Sequence, residues 1–222
     1  MRFIHQVLTI VWKDVVAELR TKEMLSSMFV FALLVLFIFN FAFDLRVANV
    51  VALAPGVLWV TFAFAGMLGL NRSFILEKDQ GCLDGLLLCP VDRSAIYFGK
   101  MLGNVLFMAV VEAIVVPVFV VLFNVPFRWE LVVVILLGDL GFAGVGTLFS
   151  AMAVNTRARE VMLPVLLFPI VVPAMIFAVK LTGAVLDGHS LLRMAGWLRW
   201  LVGFDIIFLV VSYMTFDYVV EE

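Results

Sequence analysis

Residues 24–43 read MLSSMFVFALLVLFIFNFAF, twenty positions without one charged side chain. At 1.5 Å of rise per residue such a run forms a helix of about 30 Å, the thickness of a bilayer's hydrocarbon core. Five more apolar blocks follow, at 51–70, 101–123, 131–154, 161–181 and 198–219. The blocks are continuous, whereas a transmembrane barrel would show segments of about 10 alternating residues. The expected class is therefore all-α integral membrane, with six transmembrane helices in one permease domain over 1–222. Composition agrees: 65% of the residues are hydrophobic and 14% charged, too few to coat a soluble domain. The third block is expected to be broken by Pro117, and the fifth, with Pro164, Pro169 and Pro173, to be kinked.

Ahead of the first block, residues 2–22 are amphipathic. At 100° per residue Ile4, Leu8, Val11, Val15 and Leu19 share one face, and Arg2, Gln6, Thr9, Lys13 and Arg20 lie opposite. This predicts a helix lying in the membrane interface, basic side toward the lipid headgroups. The segment is charged throughout and has no secretory signal's apolar core or cleavage site.

Basic residues orient the chain. With the N-terminus cytoplasmic, Arg2, Lys13, Arg20, Lys22, Arg72, Lys78, Arg93, Lys100, Arg157 and Arg159 lie inside, ten in all. The five outside are Arg46, Arg128, Lys180, Arg193 and Arg199. The bias puts both termini in the cytoplasm. The net charge of −2 offers nothing to a nucleic acid. Cys82 and Cys89 have neither zinc-site nor redox-pair spacing, and on the inner side are expected to be reduced thiols.

Two connections are long, an inner one at 71–100 and an outer one at 182–197. The inner one is charged in its first half by Arg72, Glu77, Lys78 and Asp79. After Gly81 it carries Leu83, Leu86 and Leu87 at helical spacing and stops at Pro90. A short helix with charged flanks beside the bilayer suits a docking surface, although a solvated loop has the same composition. Four ionisable residues fall in or near the blocks. Glu112 and Asp139 lie deepest, and Lys180 and Asp205 are expected near span ends, within reach of headgroups. A charge at membrane depth costs about 2.5–3.5 kcal/mol on insertion scales, so Glu112 and Asp139 should face a partner or a cavity. They read either as a polar path or as helix–helix contacts. Gly138, Gly141, Gly144 and Gly146 allow close helix approach, here or at a subunit interface.

The pattern Glu77…Gly81…Leu83…Leu86-Leu87-Leu88…Pro90…Ser94…Gly99-Lys100 resembles the signature of type-2 ABC exporter permeases. Within that class the chain resembles the haem exporter protein B (CcmB) family. The features are Phe3-Ile4-His5-Gln6-Val7, Trp12-Lys13-Asp14, Glu18-Leu19-Arg20-Thr21-Lys22-Glu23, the Phe-rich first span and Glu77-Lys78-Asp79.

The resemblance implies a cytoplasmic coupling helix that meets a separate ATPase, with Glu77, Lys78, Asp79, Gly81, Leu83, Asp84, Leu86 and Pro90 at the contact. It implies a bacterial inner-membrane hetero-oligomer with an ABC ATPase subunit, a haem-handling membrane subunit and a periplasmic haem chaperone. ATP would be bound by the partner, and haem handled by the complex. In keeping with this, the chain has no Gly-x-x-x-x-Gly-Lys-Ser/Thr phosphate loop, so neither catalysis nor a directly bound cofactor is expected of it. His189, in the outer segment near Trp197 and Trp200, is the candidate should haem be ligated, against the default of a solvated loop histidine. No metal cluster is visible. Two other readings stay open: a proton-coupled transporter using Glu112 and Asp139, and a membrane scaffold that moves nothing.

Overall fold

The computed structural model describes residues 2–44, 50–79, 85, 91–154, 156 and 158–221. They form seven α-helices: α1 (Arg2–Thr21), α2 (Glu23–Asp44), α3 (Val50–Asp79), α4 (Arg93–Phe123), α5 (Trp129–Ala153), α6 (Arg159–Leu186) and α7 (Ala195–Glu221), with a 3₁₀ turn at Leu191–Met194 before α7. Six are long and apolar enough to cross a membrane, and they coincide with the six blocks within a few residues, apart from their extended ends. The chain is an all-α, multi-pass membrane protein. Successive spans alternate in direction. So α1, the start of α2, the end of α3, the start of α4, the end of α5 and the end of α7 share one side, the N-terminal side.

α5 is the centre. It packs against α3, α4, α6 and α7, and 72% of its most apolar stretch is buried, against 22% for α2 and 11% for the last span. Its glycines explain this. A methyl on Gly138 would overlap the Trp59 ring, on Gly141 the Asp205 carboxyl, on Gly144 Leu209 and on Gly146 Leu70. In lipid, where apolar contact between helices gains nothing over contact with acyl chains, such close approach is a main source of cohesion. The expected small-residue face is thus used within the chain, by α3 and α7. Buried polar side chains add to it: Trp59 donates to Thr182 Oγ1 at 2.9 Å, Tyr97 to the Gly144 carbonyl at 3.0 Å and Ser150 to the Leu70 carbonyl at 2.7 Å.

Several boundaries differ from the sequence reading. Residues 71–79, read as loop, continue α3, since no glycine or proline interrupts them before Gly81. α6 absorbs 182–186, leaving 187–190 as the turn between α6 and the 3₁₀ turn. α4 is not broken at Pro117. The proline removes one hydrogen bond, to Ala113, whereas a break would expose several backbone groups to lipid. α6 likewise runs unbroken through its three prolines. α4 ends where Asn124 takes a left-handed conformation, φ 50°, its N–H on the Val120 carbonyl.

Candidate functional site

α1 uses two faces. Ile4, Leu8, Trp12 and Leu19 are exposed, as a lipid-facing stripe should be. Val7, Ile10 and Glu18 are buried instead, and α1 packs along α4. Ile10 sits on Gly99, where even a Cβ would come within 2.7 Å. One apolar stripe is therefore left uncovered by the rest of the chain, while the second contact face escapes the periodicity because it is small and part polar.

At the heart of that contact is Lys100. Its side chain is 1% exposed, yet it carries a charge. Its Nζ lies 3.0 and 3.2 Å from the two Asp14 carboxylate oxygens of α1 and 3.4 Å from the Ser73 carbonyl of α3. The Phe74 ring centroid is 5.5 Å away. An ammonium so deeply buried requires partners of this kind. The result is a three-helix anchor joining α1, the end of α3 and the start of α4. The latter two are the ends between which the inner connection runs.

The joint between α1 and α2 is built around Glu18. Its carboxylate accepts from the Leu25 N–H at 2.8 Å, satisfying an amide of α2's first turn. Lys22 makes the bend, in a left-handed conformation with φ 55°. From α3, Arg72 reaches Glu23 at 2.6 Å in an exposed ion pair.

Of the predicted coupling residues, Glu77, Lys78 and Asp79 close α3, their side chains lying outside the described residues. Gly81, Leu83, Asp84, Leu86 and Pro90, with Cys82 and Cys89, also lie outside them.

The second constellation is at membrane depth. Glu112 of α4 is 5% exposed and Asp139 of α5 is wholly buried. The two carboxyl groups are neighbours across the α4–α5 contact, and among the described residues none of the four oxygens has a hydrogen-bond partner. Both residues thus face a partner, as their depth required, but a like-signed one. One rung away on the same α4–α5 contact, Asn104 donates to Thr147 Oγ1 at 3.1 Å. A small cavity beside Asp139 is lined by Trp59, Phe62, Met108, Phe142 and Met175.

Asp205 departs from its expected place near headgroups. α7 starts at Ala195, ten residues earlier, so Asp205 is carried inward and lies 3% exposed against Gly141. Lys180, by contrast, is exposed near the end of α6, its Nζ 4.9 Å from the Trp197 ring. Trp197 and Trp200 both pack on Phe177. His189 sits exposed in the turn after α6, its backbone N–H on the Ala184 carbonyl. Among the described residues no three His, Cys, Asp or Glu side chains gather as a metal site. The Asp14–Lys100 pair was missed by sequence reasoning, although Lys100 stands as an isolated charge at the mouth of an apolar block.

Residues 5–221 match the family model described as CcmB protein. The chain is 30% identical over 142 residues to Heme exporter protein B of Rhodobacter capsulatus, covering 63% of this chain and 65% of the relative. To the Paracoccus denitrificans protein of that name it is 32% identical over 131 residues, 58% of this chain and 60% of the relative. In both cases the match spans somewhat less than two thirds of the curated relative's length. ABC transporter G family member 20 of Dictyostelium discoideum is 33% identical over 118 residues, 51% of this chain and 16% of that protein. With the family model matched over residues 5–221, nearly end to end, the chain belongs to the CcmB family.

Proposed function

We propose that this chain is the transmembrane permease subunit of an ABC exporter complex in cytochrome c maturation. It couples ATP hydrolysis on a separate ATPase subunit to haem export, or to release of a haem-loaded periplasmic chaperone. A haem-handling membrane subunit completes the assembly. The chain itself is non-catalytic and lies in the bacterial inner membrane with both termini cytoplasmic. The ABC relationship is supported by the similarity to an ABC transporter G family member, and the haem connection by relatives named heme exporter protein B.

The observation that carries the reading is the anchor at Lys100. A partner pushing on a connection transmits force only if the connection's ends are fixed to something rigid. Here both ends meet at one buried ion pair, which also holds α1. A load applied at Glu77, Lys78, Asp79, Gly81, Leu83, Asp84, Leu86 or Pro90 would therefore move α1, α3 and α4 together.

The test is affinity purification of the tagged chain from its native membrane in mild detergent, with the co-purifying proteins identified. The wild type is expected to bring an ABC ATPase with it. Asp79→Lys and Gly81→Pro are expected to insert normally and lose that ATPase. A chain that emerges alone, from membranes containing a candidate ATPase, would overturn the proposal in favour of an ion-driven transporter.

A further inference from the structure

We infer that Glu112 and Asp139 form a proton-binding site inside the membrane, one proton held between their carboxyl groups and fastening α4 to α5. The inference goes beyond the permease reading and does not depend on it.

The two helices run antiparallel, and their polar contacts fall in register. Asn104 meets Thr147, and eight residues further along α4 Glu112 meets Asp139, eight residues back along α5. At 1.5 Å per residue the rungs are about 12 Å apart. The first rung carries its own hydrogen, an amide N–H donating to a hydroxyl, with Asn104 Oδ1 left unpartnered among the described residues. The second is not. Ionised carboxyl groups accept hydrogen bonds and cannot donate them. Two of them side by side are joined only if a hydrogen lies between. Without one, four buried oxygens stand unpartnered in a medium where each such group is costly.

Among the described residues no cation on the neighbouring helices supplies the missing charge. α4 and α5 pack between them against α1, α2, α3, α6 and α7. On α4 itself Lys100 is committed to Asp14. On α1, Lys13 lies 3.3 Å from Asp14, and His5 and Arg20 are exposed. Arg72 of α3 pairs with Glu23 of α2 at the membrane edge. On α6, Lys180 lies over Trp197. α7 offers exposed Arg199 at its start, buried Asp205, and Asp217 near its other end. Asp205 is a further acid. A metal bridge lacks its ligands, since among the described residues no third His, Cys, Asp or Glu joins the pair. The cavity beside Asp139 is walled by tryptophan, phenylalanine and methionine, which provide no countercharge. A proton is the one ligand whose size and charge this arrangement accommodates.

Infrared spectroscopy of the purified chain in lipid tests the inference directly. Asp205→Asn serves as the background, because Asp205 is another buried carboxyl. In that protein at neutral pH a protonated-carboxyl C=O band is expected, shifting in D₂O. It should be lost when Glu112→Gln and Asp139→Asn are added together. These replacements are nearly isosteric, and their amides supply the hydrogen that the proton supplies. A protonated-carboxyl band of equal size in both proteins would overturn the inference, since it would then come from other acids. So would carboxylate bands that move on adding sodium or magnesium, which would identify a cation bridge. Should the combined variant fail to fold, the background protein still decides: the absence of any protonated-carboxyl band there would overturn the site.

Discussion

α4 buries a lysine and a glutamate twelve positions apart, and they reach opposite solutions. Lys100, near the membrane edge, finds a carboxylate on α1, a carbonyl on α3 and an aromatic face. Glu112, deep in the bilayer, finds Asp139, a second acid. The difference is one of supply. A helix outside the six spans, such as α1, can carry charged residues freely and lend one inward, but it does not reach the middle of a span. Depth therefore sorts buried charge: pairs with opposite charge near the rim, and neutralisation by a proton in the interior. The first arrangement fixes helices permanently, whereas the second can be undone by removing a single particle.

The largest way to break this comparison is Lys100→Met. It leaves the Asp14 carboxylate, 11% exposed, without its principal partner. Removing one member of a buried ion pair costs about 3–5 kcal/mol. Thermal unfolding in mild detergent should register that loss, together with protease sensitivity of α1. Adding Asp14→Leu should recover much of it, because two apolar side chains of suitable volume often replace a buried pair at little cost. If the single variant were as stable as wild type, Lys100 would be a packing residue and its charge incidental.

Gly138→Val comes next, and it probes the wall beside the acid pair. The added methyls would meet the Trp59 ring, which is fixed in turn by its hydrogen bond to Thr182. Overpacking of this kind costs about 1–3 kcal/mol. Because Gly138 directly precedes Asp139, displacing Trp59 should also open the neighbouring cavity. Unfolding midpoints measured with and without Trp59→Phe separate the clash from a general intolerance at the position.

Smaller again is Glu112→Gln, which should stay within about 1 kcal/mol of wild type, since an amide donor keeps a hydrogen bond to Asp139. Glu112→Ala removes the partner and should cost more, about 1–3 kcal/mol for a buried polar group left unsatisfied. Equal stability of the two variants, read by the same unfolding assay, would mean that the rung holds nothing together.

The sequence displays these two regions unequally. Uncharged runs of about twenty residues make the six spans plain, because the bilayer imposes its length on any helix that crosses it. Glu112 and Asp139 stood out because acids are rare at that depth. Their mutual contact did not, since it depends on how α4 and α5 are registered. Asp205 reads as a span-end residue because its apolar block begins at Leu198, while α7 begins at Ala195. The anchor was least visible. Asp14 and Lys100 are 86 positions apart, and each by itself reads as one more charge at a membrane edge. Residues 71–79 look like loop because they are charged, yet they are helical and Arg72 is paired across to α2.

That last pair offers the mildest prediction and the sharpest control. Arg72–Glu23 resembles Asp14–Lys100 in kind: opposite charges, direct contact, two helices tied together on the same side of the molecule. It differs in exposure, with side chains 49% and 63% accessible. Water and salt screen such a pair, and holding two long side chains in place costs entropy, so Arg72→Ala should lose only about 0.2–1 kcal/mol. At 1 M salt, where charges are screened beyond about 3 Å, the difference from wild type should shrink further. Glu23 would keep a role without its partner, because an acid in the first turn of α2 is favoured by the helix dipole. Unfolding of Arg72→Ala and Lys100→Met, compared at low and high salt, then asks whether burial alone separates the two pairs. A loss at Arg72 as large as that at Lys100, and insensitive to salt, would mean that the pair is shielded from water. Lipid or a partner subunit would then have to cover the α1–α2 joint, and the anchoring surface would extend from Lys100 across to α2.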